Sequence, residues 1–211
     1  LHFSYPFKNT TKTPNSASLA TEWREQLEET PFFNLQSWGE KCQFGNSQPL
    51  ITVQEAKDIS QKLALKSFEG GSKVLIMWHA ELLNDAASNK LLKLIEEPPA
   101  GTVIILITEQ SDQLLKTITS RTQLVKVNRI QDEELSQFLI DKEGVEPQKA
   151  TSIVNASEGS YIAARRQLRS EGSSEYFEYF SNWMRICYQK KVLDAFNWAD
   201  QMAGIGRENQ K

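Results

Sequence analysis

Residues 73–122, KVLIMWHAELLNDAASNKLLKLIEEPPAGTVIILITEQSDQLLKTITSRT, decide how this chain folds. They hold two apolar runs, Lys73–Trp78 and Thr102–Thr108, rich in Val and Ile and too short to cross a membrane. Runs of that kind predict strands buried on both faces and lying side by side in a parallel sheet. Between them Asn84 predicts an N-cap, and Ala87, Leu91, Leu94 and Ile95 fall on one side of a helix that Pro98 must stop near Glu97. Strand, helix and strand make a βαβ crossover. A second, shorter helix is expected over Asp112–Thr117 with Ser111 as its cap, and a third strand over Leu124–Val127. Polar residues stand after the carboxyl ends of these strands, where open α/β sheets place their ligands.

Working outward toward the amino end, Leu1, Phe3, Tyr5 and Phe7 alternate as one face of a strand would. Lys8–Ser18 is polar and reads as a loop. Helices are expected over Leu19–Glu29, with Trp23 and Leu27 on one face, and over Leu35–Cys42, with Leu35, Trp38 and Cys42 on one face; Pro31 separates them. Thr52 and Glu55 have the spacing of a capping box, Ile51 can staple onto Ala56, and Ala56, Ile59 and Leu63 form a stripe ending before Gly70–Gly71. Toward the carboxyl end the strand pattern stops at Val127. Asp132–Asp141, Pro147–Ser157 and Ser160–Arg169 read as three short helices, with Pro147 and Gly159 at a helix start and just past a helix end. A hinge is expected at Glu171–Ser174. Tyr176, Phe177, Phe180, Trp183, Met184, Cys187 and Tyr188 then form an aromatic stripe at helical spacing, better suited to helix packing than to base stacking, and a last helix runs on over Val192–Ala203.

The 211 residues are 39% hydrophobic and 24% charged, as in an ordinary globular protein, and long enough for more than one domain. A net charge of −3 argues against binding nucleic acid by bulk electrostatics alone. Cys42 and Cys187 lie far apart and in no metal-ligand spacing, so two reduced, mostly buried thiols are expected. No signal peptide or membrane span is legible, which makes the cytoplasm the default location. A first strand with nothing before it to pair with, and a polar helical end without a stop signal, read as a fragment.

Asn89–Pro99 (NKLLKLIEEPP), the apolar strand ending in Thr108, and LLKTITSR at 114–121 together resemble AAA+ clamp-loader subunits, whose pattern is LLK-x-LEEPP, a strand ending in Thr, then L-L-x-T-I-x-S-R-C. The resemblance implies a parallel-sheet, P-loop NTPase-like α/β core over residues 1–128, incomplete at its amino end, then a three-helix lid over 129–171 and the start of a helical collar over 172–211. It places Thr108 at the sensor 1 position beside a nucleotide; from the residues alone, its hydroxyl serves equally well to satisfy the strand end. Arg121, with Ser120 before it, becomes a trans-acting arginine finger on the γ-phosphate of ATP held by the next subunit, and Thr122 replaces the usual Cys. A guanidinium suits that work because it stays charged and donates in bidentate fashion. From spacing alone Arg121 would be an ordinary helix-terminal cation.

Other positions depart from the family. No G-x-x-x-x-G-K-[ST] occurs. Trp78-His79 stands where hydrolysing members carry Asp-Glu after the Walker B strand. An indole cannot bind magnesium and neutral imidazole suits it poorly, so no metal site is expected. Glu81 reads as the start of the next turn and His79 as a hydrogen-bonded structural histidine. Three residues after Gly159, where a sensor 2 arginine is expected, stands Ile162; Arg165, Arg166 and Arg169 read as a solvated face. The implied function is that of a non-hydrolysing, stator-like subunit with no cofactor of its own. ATP-Mg would be bound by partner tau/gamma subunits, with the delta subunit as a further partner and the sliding clamp and primer-template DNA engaged through the complex. The alternative is an active AAA+ ATPase.

Overall fold

The computed structural model describes residues 1–8, 10, 15–45, 47–65, 71–169, 174–189 and 192–203. Three strands, β1 (His2–Ser4), β2 (Lys73–Trp78) and β3 (Thr102–Ile107), pair in parallel in that order. Lys73 lies opposite Thr102, and the register runs unbroken to Trp78 opposite Ile107. Two helices cover one face of this sheet. The first, α3 (Val53–Ala64), follows α1 (Ala20–Glu29) and α2 (Leu35–Lys41); the second, α4 (Asp85–Glu96), is the crossover from β2 to β3. Their apolar stripes, Ala56, Ile59 and Leu63 with Ala87 and Leu91, close on Leu75 and Met77 from below the sheet.

The crossover helix forms as its sequence dictates. Asn84 caps it, its Oδ1 accepting from the Ala87 N–H at 2.8 Å, and Pro98 follows the C-cap Glu97. At α3 the expected capping box is only half made. Thr52 accepts from the Glu55 N–H, but the Glu55 carboxylate turns away from the helix end and is buried. It accepts from Ser4 Oγ at 2.9 Å, from Ser16 N at 2.9 Å and from Ser16 Oγ at 2.5 Å, tying β1 and the short 3-10 turn Ser16–Leu19 to α3.

Three expectations need correction. β3 is not buried on both faces: Ile104 and Leu106 pack on the helices, while Val103, Ile105 and Ile107 remain 43–51% exposed. Both covering helices lie on one side, and among the described residues nothing covers the other side along β3. Leu124–Val127 is extended but is not a strand, and Leu124, Val125 and Val127 are 74–88% exposed. A strand needs a neighbour to take its N–H and C=O groups, and β propensity cannot supply one. The helix expected over Asp112–Thr117 is broken into a 3-10 turn, Ser111–Gln113, and α5 (Lys116–Thr119). Leu114 and Leu115 lie between, in extended backbone, and insert into the core under the sheet.

On the other side of β2 sits an aromatic cluster. Tyr5 stacks on Trp23 at 4.1 Å, and Trp38, Phe33 and Trp78 meet Trp23 at 5.3–5.5 Å. This cluster fastens α1 and α2 to the carboxyl ends of β1 and β2. Half-buried Cys42 packs against it, its thiol pushed up to about 12 by burial and, secondarily, by Glu22. Cys187 is exposed, contrary to the expectation that both thiols are buried.

The chain divides into two compact units, residues 1–128 and 129–211. In the second, α6 (Asp132–Glu143), α7 (Pro147–Ser157) and α8 (Tyr161–Arg169) enclose Leu135, Leu139, Ala150, Ile153, Val154 and Ala164. Gly144 ends α6 with a left-handed residue, and Pro147 opens α7. Gly159 is required sterically. Its φ is +74°, and a Cβ there would lie 2.6 Å from the Ile130 carbonyl oxygen and 2.9 Å from Arg129 Cβ. Gly159→Ala is expected to cost about 2–4 kcal/mol, from left-handed backbone plus overpacking. Urea unfolding followed by helical circular dichroism checks this: an unshifted midpoint would show that the 129–130 segment gives way freely.

Two further helices, α9 (Ser174–Gln189) and α10 (Val192–Ala203), pair through Trp183 and Trp198, whose rings lie 4.6 Å apart. Phe180, Met184 and Tyr188 of the predicted stripe are exposed. The side chains of Tyr176 and Phe177, and the expected hinge apart from Ser174, lie outside the described residues. No described helix is long and apolar enough to cross a membrane.

Candidate functional site

β2 delivers Trp78 and His79 to the carboxyl edge of the sheet, and β3 delivers Thr108 beside them. Trp78 is spent on packing: it leans on Trp23 and Phe33 and edge-on against His79. His79 adopts a left-handed backbone, φ +54° and ψ +56°, uncommon for a residue with a side chain. The turn Ala80–Leu82 that follows is held by backbone hydrogen bonds from Ile51 N to Leu82 O, at 2.9 Å, and from Asn84 N to Ile51 O, at 3.2 Å.

That turn folds Glu81 back under the strand ends. Its side chain is only 6% exposed, with Oε1 2.8 Å from His79 Nδ1 and 3.4 Å from the Glu109 N–H. Thr108 donates its hydroxyl to the same carboxylate and accepts from the Gln110 N–H at 3.1 Å. Burial raises the Glu81 pKa, but the hydrogen bonds from His79 and Thr108 outweigh it and hold the carboxyl below its ordinary 4.5. Glu81 Oε2 and His79 Nε2 are buried without hydrogen-bond partners, and the Glu109 carboxylate stands 3.9 Å from Nε2. The sequence reading therefore undervalued Glu81, and His79 is satisfied at one ring nitrogen only. The signal was present in the sequence: an acid three residues past the strand, within reach of a strand-end threonine.

A carboxylate with a lowered folded pKa adds stability above its unfolded value, and that contribution disappears as pH falls through the folded value. Glu81→Gln should therefore flatten the loss of stability of this chain below pH 4.5. Unfolding midpoints measured from pH 7 downward check it; identical pH profiles for the two proteins would sink the assignment.

These residues do not suit magnesium. Of the two carboxylates nearby, Glu81 is already shared by His79 and Thr108 and Glu109 is exposed, and among the described residues no three His, Cys, Asp or Glu side chains converge as metal ligands.

Arg121 lies just past α5, whose Ile118 is anchored in the core beneath the sheet. Ser120 donates its hydroxyl to Thr117 O at 3.2 Å, closing the helix end. The Arg121 side chain is 35% exposed; Nη1 donates to Thr117 O at 3.1 Å, and Nε lies 3.4 Å from Glu96 Oε2. Thr122, in the place of the family's Cys, donates its hydroxyl to Ile118 O at 3.1 Å. In the second unit, Arg166 and Arg169 are exposed and Ile162 is half-buried.

Several characterised proteins are similar to this chain. The delta-prime subunit of DNA polymerase III from Haemophilus influenzae is 31% identical over 141 residues, 67% of this chain and 43% of that protein. Its Bacillus subtilis counterpart is 30% identical over 59% of this chain and 43% of that protein, and the Escherichia coli one 43% identical over 35% and 22%. The family described as DNA polymerase III, delta subunit, matches residues 21–131, just over half of the chain. The chain belongs to the DNA polymerase III delta-prime family. Its fold is accordingly an AAA+ α/β core of clamp-loader type, and it spans less than half the length of the first two relatives. A gamma-subunit-related protein of Thermotoga maritima superimposes over 61% of this chain and 56% of that one, at 25% identity and a TM-score of 0.38. The family match spans the His79–Glu81–Thr108 cluster and Arg121 alike.

Proposed function

We propose that this chain is a non-hydrolysing, stator-like subunit of the polymerase III clamp loader, contributing Arg121 to ATP-Mg bound by an adjacent tau/gamma-type ATPase subunit. In this reading it works with the delta subunit in the cytoplasm, during ATP-dependent loading of the sliding clamp onto primed DNA. The observation that carries it is a contrast between two ends of one sheet layer. Trp78 and His79 are committed to an aromatic cluster and to Glu81 and themselves offer magnesium no oxygen, whereas the Arg121 guanidinium stands at the surface just past a helix fixed to the core. Thr108, at the sensor 1 position, engages Glu81 and the Gln110 N–H rather than standing free for a phosphate.

The competing reading, an active ATPase, gives Glu81 the role of catalytic acid. Steady-state hydrolysis by the purified full-length subunit with Mg-ATP separates the two. The stator reading expects no turnover above that of the same subunit carrying Glu81→Gln. Turnover that disappears with this substitution would establish the ATPase instead.

A further inference from the structure

Glu96 is in the last turn of α4, where the negative end of a helix disfavours a carboxylate. A local rule broken without a local gain points to another use. The carboxylate reaches 25 residues along the chain to Arg121: Oε2 lies 3.4 Å from Nε and Oε1 3.5 Å from Nη2. The other guanidinium nitrogen, Nη1, donates to Thr117 O at 3.1 Å and to Ser120 Oγ at 3.4 Å. The whole guanidinium is therefore held against its own subunit. It is held loosely, since tight charge-assisted pairs close to about 2.7–2.9 Å. With side chains 35% and 55% exposed, the pair is open to water and to exchange. A triphosphate offers the same bidentate geometry with more charge, so it can displace Glu96 at little cost.

Resting on the reading of Arg121 as a trans-acting finger, we propose that Glu96 is its holding residue. The carboxylate parks the guanidinium on α4 and yields it to the neighbour's γ-phosphate when the loader closes. Parking competes with the phosphate for the same donors. It therefore slows hydrolysis in the open, unstimulated loader and matters little once clamp and DNA have driven closure.

The test is ATP hydrolysis by the assembled loader, with and without clamp and primed DNA. Glu96→Gln should raise the unstimulated rate about two- to five-fold, the range that losing an exposed ion pair allows, and leave the stimulated rate unchanged. Glu96→Asp, which keeps the charge, should move back toward the parent rate. Glu97→Gln, the same charge loss on a carboxylate that makes no ion pair with Arg121, should have no effect. In an Arg121→Ala background the Glu96→Gln effect should vanish, because it acts only through the guanidinium. If Glu96→Gln leaves the unstimulated rate unchanged or lowers it while Arg121→Ala abolishes stimulation, parking is wrong and the finger stands. If Arg121→Ala itself changes nothing, the finger reading fails, and parking with it.

Discussion

On the stator reading proposed above, Arg121→Ala in the assembled loader is expected to slow hydrolysis of the neighbouring subunit's ATP by about 10³-fold or more, the usual value of an arginine finger. The subunit itself should fold and assemble normally. Arg121 is partly exposed and makes one loose ion pair, so its removal costs the fold within about 0.5 kcal/mol. In an assembly with several hydrolysing subunits, a steady-state rate understates the effect at one of them. A rapid-quench burst is the better readout: one fewer ATP should be consumed per loader on addition of clamp and primed DNA. Arg121→Lys should not rescue it, since an ammonium lacks the planar fork that spans two phosphate oxygens. An unchanged burst would remove Arg121 from the reaction.

The second large effect is on stability. Trp38→Ala should destabilise the first unit by about 3–5 kcal/mol. Trp38 is fully buried, meets Tyr5 and Trp23 edge-on at 5.2 and 5.3 Å, and donates its indole N–H to Pro6 O at 2.8 Å. Truncation leaves a cavity beneath α2 and strips the Pro6 carbonyl of its donor, and the two penalties add. Because β1 is only three residues long, the residues after it, Tyr5 to Phe7, are held mainly by this cluster. Trp38→Phe keeps most of the volume and should recover more than half the loss. Urea unfolding gives the numbers, and a shift below 1 kcal/mol would mean that the cluster collapses to fill the space.

The crossover was legible in the sequence because every local signal agreed: Val and Ile runs, Asn84 as a cap, Pro98 as a stop. What failed had a distant cause. Leu124–Val127 has the composition of a strand, but a strand exists only with a partner, and no periodicity reports whether one is present. The run Thr102–Thr108 could not disclose that its Val103, Ile105 and Ile107 side would remain uncovered. Glu55 fitted a capping box, yet Ser4 and Ser16, 51 and 39 residues away, took its carboxylate. At the strand ends Glu81 reads in sequence as the start of the next turn, and only the fold shows that this turn buries its carboxylate against His79. Arg121 gave no signal by spacing, and only the S-R motif after L-L-x-T-I singled it out; its partner Glu96 was marked by sitting on the wrong end of a helix.

Trapping of Mg-ADP with fluoroaluminate by the assembled loader tests the central claim most directly, because that adduct mimics the transferring phosphoryl group and forms only where its charge is stabilised. With Arg121 present, each loader should retain one more trapped ADP than with Arg121→Ala, and Glu81→Gln should leave the count unchanged. Equal trapping by the parent and Arg121→Ala loaders would contradict the claim that this chain stabilises a neighbour's phosphate.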